Sequence, residues 1–384
     1  MDSPGRRTCT RCVMDTSDPY IAFDEYGVCN HCHSYDLKVR RLVHVGEDGK
    51  RKLKRVIEQM KLDGKGKKYD CIIGVSGGVD STYVAYLVKQ NGLRPLAVHL
   101  DNGWDSELAV ANIHKTLNLL GIDLYTHVID WVEFRDLQLS FLRASTPDSE
   151  IPSDHAIVSL MYQMADQMGI KYVISGRNVR TETHVPSAWS TGHFDWKYIQ
   201  SVHQQFGKVQ LKSYPHRTFL QEEIYLLRQN WFDILNYVDY VKGDAIKLLE
   251  KELGWQYYGG KHFESIYTRF FQGYILPAKF GYDKRRGHLS SLICSGEITR
   301  QEALAELAKP TYPPALQESD REYVVKKLGL IDDEFQAIMD LPRKTIHDYP
   351  SYTRDQRTLA GRMQMLLYSI PRLTKKVLVK WKGM

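Results

Sequence analysis

Six residues, Ser76-Gly77-Gly78-Val79-Asp80-Ser81, constrain this chain more than any other stretch. An apolar run, Cys71-Ile72-Ile73-Gly74-Val75, precedes them, and an amphipathic run, Thr82-Tyr83-Val84-Ala85-Tyr86-Leu87-Val88, follows. That order predicts a strand, a glycine-rich turn and a helix. The glycines remove side chains where backbone N–H groups must close around an anion. The helix starting near Asp80 and Ser81 aims its positive end and its free N–H groups at the same point. A pyrophosphate cradle is the expected result. It is not the Walker loop, because no lysine follows the glycines.

The flanking sequence repeats this alternation. Strands are expected at 71–75, 96–100, 125–129 and 172–175, with helices at 81–90, 107–120, 133–144 and 155–168. Such repetition predicts an α/β fold, a parallel sheet with helices on both faces and ligands beyond the strand C-termini. From about Val202 helical stretches dominate, at 221–235, 244–253 and 300–306, broken by Gly259-Gly260 and by Pro310-Thr311-Tyr312-Pro313-Pro314. The chain of 384 residues thus divides into residues 1–35, a helical linker at 36–68, a nucleotide domain at 69–201 and a mainly helical region at 202–384. No apolar run reaches the roughly eighteen residues of a membrane span, and Met1 to Arg7 lack an apolar signal core, so a cytoplasmic location is expected. The net charge of +6 is concentrated near the end: residues 343–384 carry +8, leaving about −2 for the rest. A basic C-terminal segment can bind phosphates, face an acidic partner or be solvated.

Four of the six cysteines form Cys9-x2-Cys12 and Cys29-x2-Cys32. The spacing is that of a closed tetrathiolate zinc site, structural rather than catalytic, with His31 and His33 as flanking alternatives. Between the pairs lie four acids and no Lys or Arg, which argues against a phosphate-binding finger and for a docking or lid role. Cys71 and Cys294 read as buried small apolar residues.

Other candidates sit at expected strand ends. Asp101, in Val98-His99-Leu100-Asp101-Asn102-Gly103, can reach a nucleotide or magnesium ion, or cap a turn. Gly176 and Arg177, in Ser175-Gly176-Arg177-Asn178, can admit a nucleotide and stabilise phosphate charge. Asp154 reads as a helix N-cap or a catalytic acid, and His155 as an acid–base group. The loop from Lys279 to His288 gathers Lys279, Lys284, Arg285 and Arg286, which suits a polyphosphate or nucleotide-linked substrate.

Ser-Gly-Gly-Val-Asp-Ser resembles the PP-loop of the ATP pyrophosphatase superfamily, which includes asparagine, GMP and NAD synthetases and tRNA thiolases. Over nearly its full length the chain is similar to the N-acetyl sugar amidotransferases of bacterial surface-polysaccharide (O-antigen type) synthesis. That likeness rests on the opening Cys9-Thr10-Arg11-Cys12-Val13-Met14-Asp15-Thr16 with its second pair, on the glycine loop, and on Lys279-Phe280-Gly281-Tyr282-Asp283-Lys284-Arg285 with His288-Leu289-Ser290-Ser291-Leu292-Ile293-Cys294-Ser295-Gly296. The resemblance implies an ATP-dependent ligase that adenylylates an acetamido group of an N-acetyl sugar, expected to be a nucleotide sugar in lipopolysaccharide synthesis, and replaces its oxygen with ammonia. It implies ATP held by Ser76, Gly77, Gly78, Val79, Asp80, Ser81, Asp101, Gly176 and Arg177, and Mg²⁺ at Asp80 and Asp101. Ser76, Asp80 and Ser81 carry the catalytic role, with Lys279, Lys284 and Arg285 for substrate or leaving-group charge. Zinc at Cys9, Cys12, Cys29 and Cys32 is structural.

An ammonia source is not evident in the chain. Asparagine synthetase-type glutaminases use an N-terminal cysteine, whereas Met1 is followed here by Asp2. The resemblance implies separate glutaminase and cyclase-like subunits similar to those of imidazole-glycerol-phosphate synthase, with ammonia channelled between them and no nucleic-acid partner. The rival readings are a tRNA thiolase and a non-catalytic zinc-ribbon interaction subunit. A thiolase needs cysteines in the nucleotide domain, and three cluster ligands cannot come from Cys71 and Cys294 alone.

Overall fold

The computed structural model describes residues 5–260 and 263–352. Most of the basic C-terminal segment lies outside these residues. Five parallel strands form the sheet: β1 (Cys71–Gly74), β2 (Pro95–Asp101), β3 (Asp123–Val128), β4 (Tyr172–Ser175) and β5 (Asn230–Asp233), in the spatial order β3-β2-β1-β4-β5. β1 pairs with β2 on one side and β4 on the other, so the strand order reverses there. A crevice opens beyond the strand C-termini at such a switch point.

Both faces of the sheet are covered because alternate side chains point to opposite sides. Ile72, Leu96, Val98, Leu100 and Val173 enter one core with Phe134, Leu137 and Phe141 of helix Trp131–Ala144 and Leu160 and Met164 of helix Ile151–Gln167. Cys71, Ile73, Ala97 and Ile174 enter the other with Val84 and Val88 of helix Val79–Gln90 and Ile113 and Leu117 of helix Glu107–Leu120. The last helix begins at an N-cap, Ser106, whose side chain accepts the Ala109 N–H, and ends at Gly121, whose φ of 58° needs no Cβ. Leu53, Ile57 and Met60 of helix Gly46–Asp63 also enter this second core, so the stretch read as a linker packs on the sheet. Among the described residues no helix is long and apolar enough to cross a membrane.

One expectation fails instructively. The helix predicted over 221–235 is three elements: helix Phe219–Arg228, strand β5 and a 3-10 turn Ile234–Tyr237. Asn230 to Asp233 pair in parallel register with Tyr172 to Ser175. A four-residue strand is too short to display its own period, and ladder pairing overrides local helical propensity. The sheet therefore extends past residue 201, and Ala245, Leu249, Leu253 and Trp255 complete its second core.

The remaining region is helical. Helix Ile266–Phe270 runs into a wide-turn helix, Phe271–Phe280, that contains Pro277; helices Lys284–Ser295, Arg300–Leu307, Pro314–Leu328 and Asp332–Asp340 follow. Wider turns relieve the clash between a proline ring and the preceding turn.

Because β5 and the Lys242–Leu253 helix close the sheet, a chain stopped after residue 201 should lose cooperative unfolding in a circular-dichroism melt. A cooperative transition in that truncated chain would show that 69–201 folds alone.

Candidate functional site

The cradle forms as its sequence suggests. Gly78 is the extended N-cap of helix Val79–Gln90, with no capping side chain. Gly77 takes a φ of +76°, and a Cβ there would come within 2.5 Å of the Ala109 carbonyl oxygen. Only glycine fits that backbone approach. Small polar groups occupy the loop: the Ser76 N–H donates to Ser81 Oγ (3.3 Å), the Gly78 N–H to Ser76 Oγ (3.3 Å), and Ser81 Oγ to the Gly78 carbonyl (3.1 Å).

Residues far along the chain complete it, and sequence reasoning missed them. Tyr258 Oη accepts the Val79 N–H at 3.2 Å, Trp255 Nε1 donates to the Gly77 carbonyl at 3.0 Å, and the Tyr240 hydroxyl donates to Asp80 Oδ1. Burial pushes the Tyr258 and Tyr240 hydroxyls far above the usual tyrosine range. A Cβ on Gly78 would lie 3.3 Å from Tyr258 Oη and 3.4 Å from Glu264 Oε1. The only available signal was the aromatic run Trp255-Gln256-Tyr257-Tyr258 ahead of Gly259-Gly260.

Gly176 lies across the switch point, where a Cβ would meet the Asp80 carbonyl carbon at 3.2 Å. Its glycine lets the β4 end lie against the cradle helix. Arg177 is exposed beside it, 3.4 Å from Asp233 and over the Trp231 ring. Asp101 caps its own turn, accepting the Gly103 N–H at 2.9 Å.

A second polar group gathers at the start of helix Ile151–Gln167. His193 Nδ1 lies 3.1 Å from Asp154 Oδ2, and its Nε2 lies 2.7 Å from Ser190 Oγ, which donates to Asp148 Oδ2 at 2.5 Å. Burial opposes charge on His193, but the hydrogen bond to Asp154 and the charges of Asp148 and Asp154 outweigh it, holding the imidazole pKa up to about 9. In the cation Nε2 donates to Ser190 Oγ, and Nδ1 faces the Asp154 carboxylate as an ion pair. Lys284 Nζ sits 3.5 Å from Glu150 Oε2, which also accepts from Gln272 (2.8 Å). Burial pushes the Glu150 carboxyl up. Burial also disfavours the Lys284 charge, but Asp148, Glu150 and Asp154 hold it.

Segment 264–267 joins the two groups. Glu264 stands against Gly78, and the Tyr267 hydroxyl reaches Ser149 Oγ at 2.7 Å. Three residues of chain span at most about 11 Å. Asn102, next to Asp101, also donates to Ser153 at 3.2 Å.

Other expectations need correction. Asp154 is not an N-cap: the helix begins at Ile151, and Asp154 pairs with His193. His155 is not an acid–base group. It is fully buried, donates from Nδ1 to the His193 carbonyl, accepts the Arg217 N–H on Nε2, and burial pushes its pKa down to about 3. The cations of the 279–288 loop do not form a free phosphate surface, because each is tied to the protein. Lys279 is buried and donates to the Ile338 carbonyl, burial pulling its pKa down to about 8. Arg285 is clamped by Asp283 and the carbonyls of Glu306, Lys309 and Pro310. Arg286 holds Asp15 at 3.2 Å. Of the three expected charge carriers, Lys284 alone joins the polar group.

At the N-terminus the four cysteines converge, fully buried. Their sulfurs lie 3.7 Å (Cys12–Cys29 and Cys29–Cys32) and 4.0 Å (Cys9–Cys32) apart. Zn–S bonds of about 2.3 Å in a tetrahedron need edges of roughly 3.8 Å, so the donor set fits zinc. His31 and His33 pair instead with Asp18 (2.6 Å) and Asp24 (2.8 Å). Two of the four acids between the cysteine pairs, Asp18 and Asp24, are thus paired within the ribbon. Arg300 docks the ribbon by donating to the Cys9 and Cys12 carbonyls, at 3.1 Å each.

The glycine cradle lies at the switch point of a parallel sheet, the placement expected of the PP-loop that its sequence resembles. Residues 264–363 match the family described as LPS biosynthesis protein WbpG-like, C-terminal domain. Together these bear out the resemblance drawn from the sequence. An uncharacterized protein of Methanocaldococcus jannaschii is 22% identical over 279 residues, covering 72% of this chain and 86% of its own. The tRNA-specific 2-thiouridylase MnmA of Clostridioides difficile is 30% identical over 129 residues, 29% of this chain and 35% of its own length. Among solved structures, the NMN synthetase of Francisella tularensis aligns over 78% of this chain and 97% of its own, at 14% identity and a TM-score of 0.32.

The two cradle glycines should behave differently. Gly77→Ala places a Cβ against backbone at positive φ and should lower the unfolding midpoint sharply. Gly78→Ala, with ordinary φ, should leave that midpoint nearly unchanged but abolish the stabilisation by MgATP, about 2.7 kcal/mol at a hundredfold excess over Kd in the wild type. Thermal melts with and without MgATP separate the two.

His193 gives a pH signature. Its folded-state pKa lies above the ordinary histidine value of about 6.5. Its contribution to stability should therefore be complete below that value and disappear as pH rises through about 9. Imidazole NMR shifts should stay those of the cation at neutral pH, and Asp154→Asn should move the titration downward.

Proposed function

We propose that this chain is an ATP-dependent amidotransferase that converts an acetamido group of an N-acetyl sugar, nucleotide-linked, into an acetamidino group for lipopolysaccharide O-antigen synthesis. One observation carries the reading. The WbpG-like region begins at residue 264, and it supplies Glu264 to the phosphate cradle and Tyr267, Gln272 and Lys284 to the polar group beside it. That the region matching the polysaccharide-synthesis family connects the glycine cradle to a second polar site supports the reading.

The chemistry follows from amide electronics. The amide oxygen attacks the α-phosphorus of ATP, the α–β bridging bond breaks, and pyrophosphate leaves into the cradle. Backbone N–H groups of the loop and the hydroxyls of Ser76 and Ser81 take up its charge. Mg²⁺, when bound at Asp80 and Asp101, adds charge neutralisation. The resulting O-adenylyl imidate has a good leaving group. Ammonia adds to the imidate carbon, gives up a proton, and AMP departs with the former amide oxygen. Lys284 and His193, both cationic, and the carboxylates around them suit a polar acceptor better than an apolar one. They position it mainly by hydrogen bonding.

In this reading the protein is cytoplasmic and receives ammonia from a separate glutaminase through a cyclase-like subunit. Thiolation fits less well. Cys71 is buried in β1 with its thiol pushed well up by burial, and Cys294 stands beside the ribbon.

The test is AMP release from ATP with ammonium and nucleotide-linked acetamido sugars, with the product's oxygen-for-NH exchange read by mass spectrometry. Lys284→Met should lower kcat about a hundredfold, as loss of one preorganised charge does elsewhere. AMP release driven by tRNA and a sulfur donor, with none from any acetamido sugar, would sink the proposal.

A further inference from the structure

Cys294 belongs to none of the chemistry above, and it is not the buried apolar residue its context suggested. Its Sγ lies 3.8 Å from Cys32 Sγ and 3.8 Å from His184 Nε2. These three ligand atoms all lie within 4.8 Å of one another, and Cys32 belongs equally to the tetrathiolate. We propose that Cys32, His184 and Cys294 form a second zinc position that shares the Cys32 sulfur with the ribbon's own ion.

The histidine is prepared for this. His184 is buried, at 1% exposure. Ser291 Oγ lies 3.0 Å from His184 Nδ1 and 3.2 Å from the Gly287 carbonyl. Nδ1 is thus partnered by Ser291, and Nε2 is the nitrogen that faces Cys294. A metal-ligating imidazole is fixed in this way by a partner on its other nitrogen. The backbone N–H groups of Thr183 and His184 also reach Ser291 Oγ, at 3.2 Å each, and hold the base of the ring.

The spacing and the charge agree. Zn–S bonds of about 2.3 Å and Zn–N bonds of about 2.0 Å need S–S edges of roughly 3.8 Å and slightly shorter S–N edges, which small rotamer adjustments reach. Four thiolates on one divalent ion carry a net charge of about −2 in a buried site. A second divalent ion with the Cys294 thiolate reduces that to about −1, and a thiolate has lone pairs enough to bridge two metals. Cys294 is only half-buried, so an ion has a way in. Three protein ligands leave a fourth position for water.

The position also matters mechanically. His184 follows the helix Val179–Glu182 that comes off the Gly176 turn, and Cys294 lies on the helix that begins at Lys284. One bridging sulfur would fasten the ribbon to both site-bearing segments. This holds whether or not the substrate is a sugar.

Zinc content decides it. The full chain is saturated with Zn²⁺, freed of unbound metal by gel filtration, and counted by mass spectrometry of the metal. The wild type should hold two zinc ions per chain, and Cys294→Ala one. Substituted Co²⁺ should show thiolate charge-transfer absorbance that falls in Cys294→Ala while the tetrathiolate bands remain. One ion in the wild type overturns the proposal, as does retention of two in Cys294→Ala. Loss of both in that variant overturns it too, since the tetrathiolate needs no Cys294.

Discussion

The pairing of β1 with β4 is the constraint on which the rest depends. It reverses the strand order, opens the crevice, and brings Gly176 against Asp80. At that separation a side chain at 176 would push the two strand ends apart and move the cradle helix. The cradle also presses on the neighbouring helix, where Gly77 meets the Ala109 carbonyl. Two glycines thus serve opposite ends of the same task. One bends the loop at positive φ, and the other lets a second strand approach.

Around this crevice the protein uses its charges to assemble itself. Asp15, fully buried, is met by Arg286 and Arg6, and Arg300 reaches two ribbon carbonyls. An unpaired carboxylate at that depth would be strongly unfavourable, so docking of the ribbon and placement of helix Lys284–Ser295 depend on each other. The same helix carries Lys284 toward Glu150 at its other side. One helix therefore carries contacts both to the ribbon and to the polar group beside the cradle.

The polar group shows how environment sets roles. His155 and His193 are close in space, joined by a hydrogen bond through the His193 carbonyl. One is enclosed by Trp196, Tyr214 and Arg217 and is held neutral; the other faces two carboxylates and is held charged. Residue type did not distinguish them, because the difference lies in what surrounds each ring.

Much of the architecture was legible locally. Strand–loop–helix order, the glycine cradle, helix Glu107–Leu120 and the convergence of Cys9, Cys12, Cys29 and Cys32 follow from short-range patterns: periodicity, φ requirements and ligand spacing. What tertiary structure alone decided depends on partners distant in sequence. β5 exists because β4 offers it a ladder, and Tyr240, Trp255 and Tyr258 reach a loop more than a hundred residues earlier. Lys279, Arg285 and Arg286 look like phosphate ligands in sequence, but nearby carbonyls and carboxylates claim them in the fold. Sequence states which groups can carry charge or bind metal; only packing determines which of them are left facing a substrate.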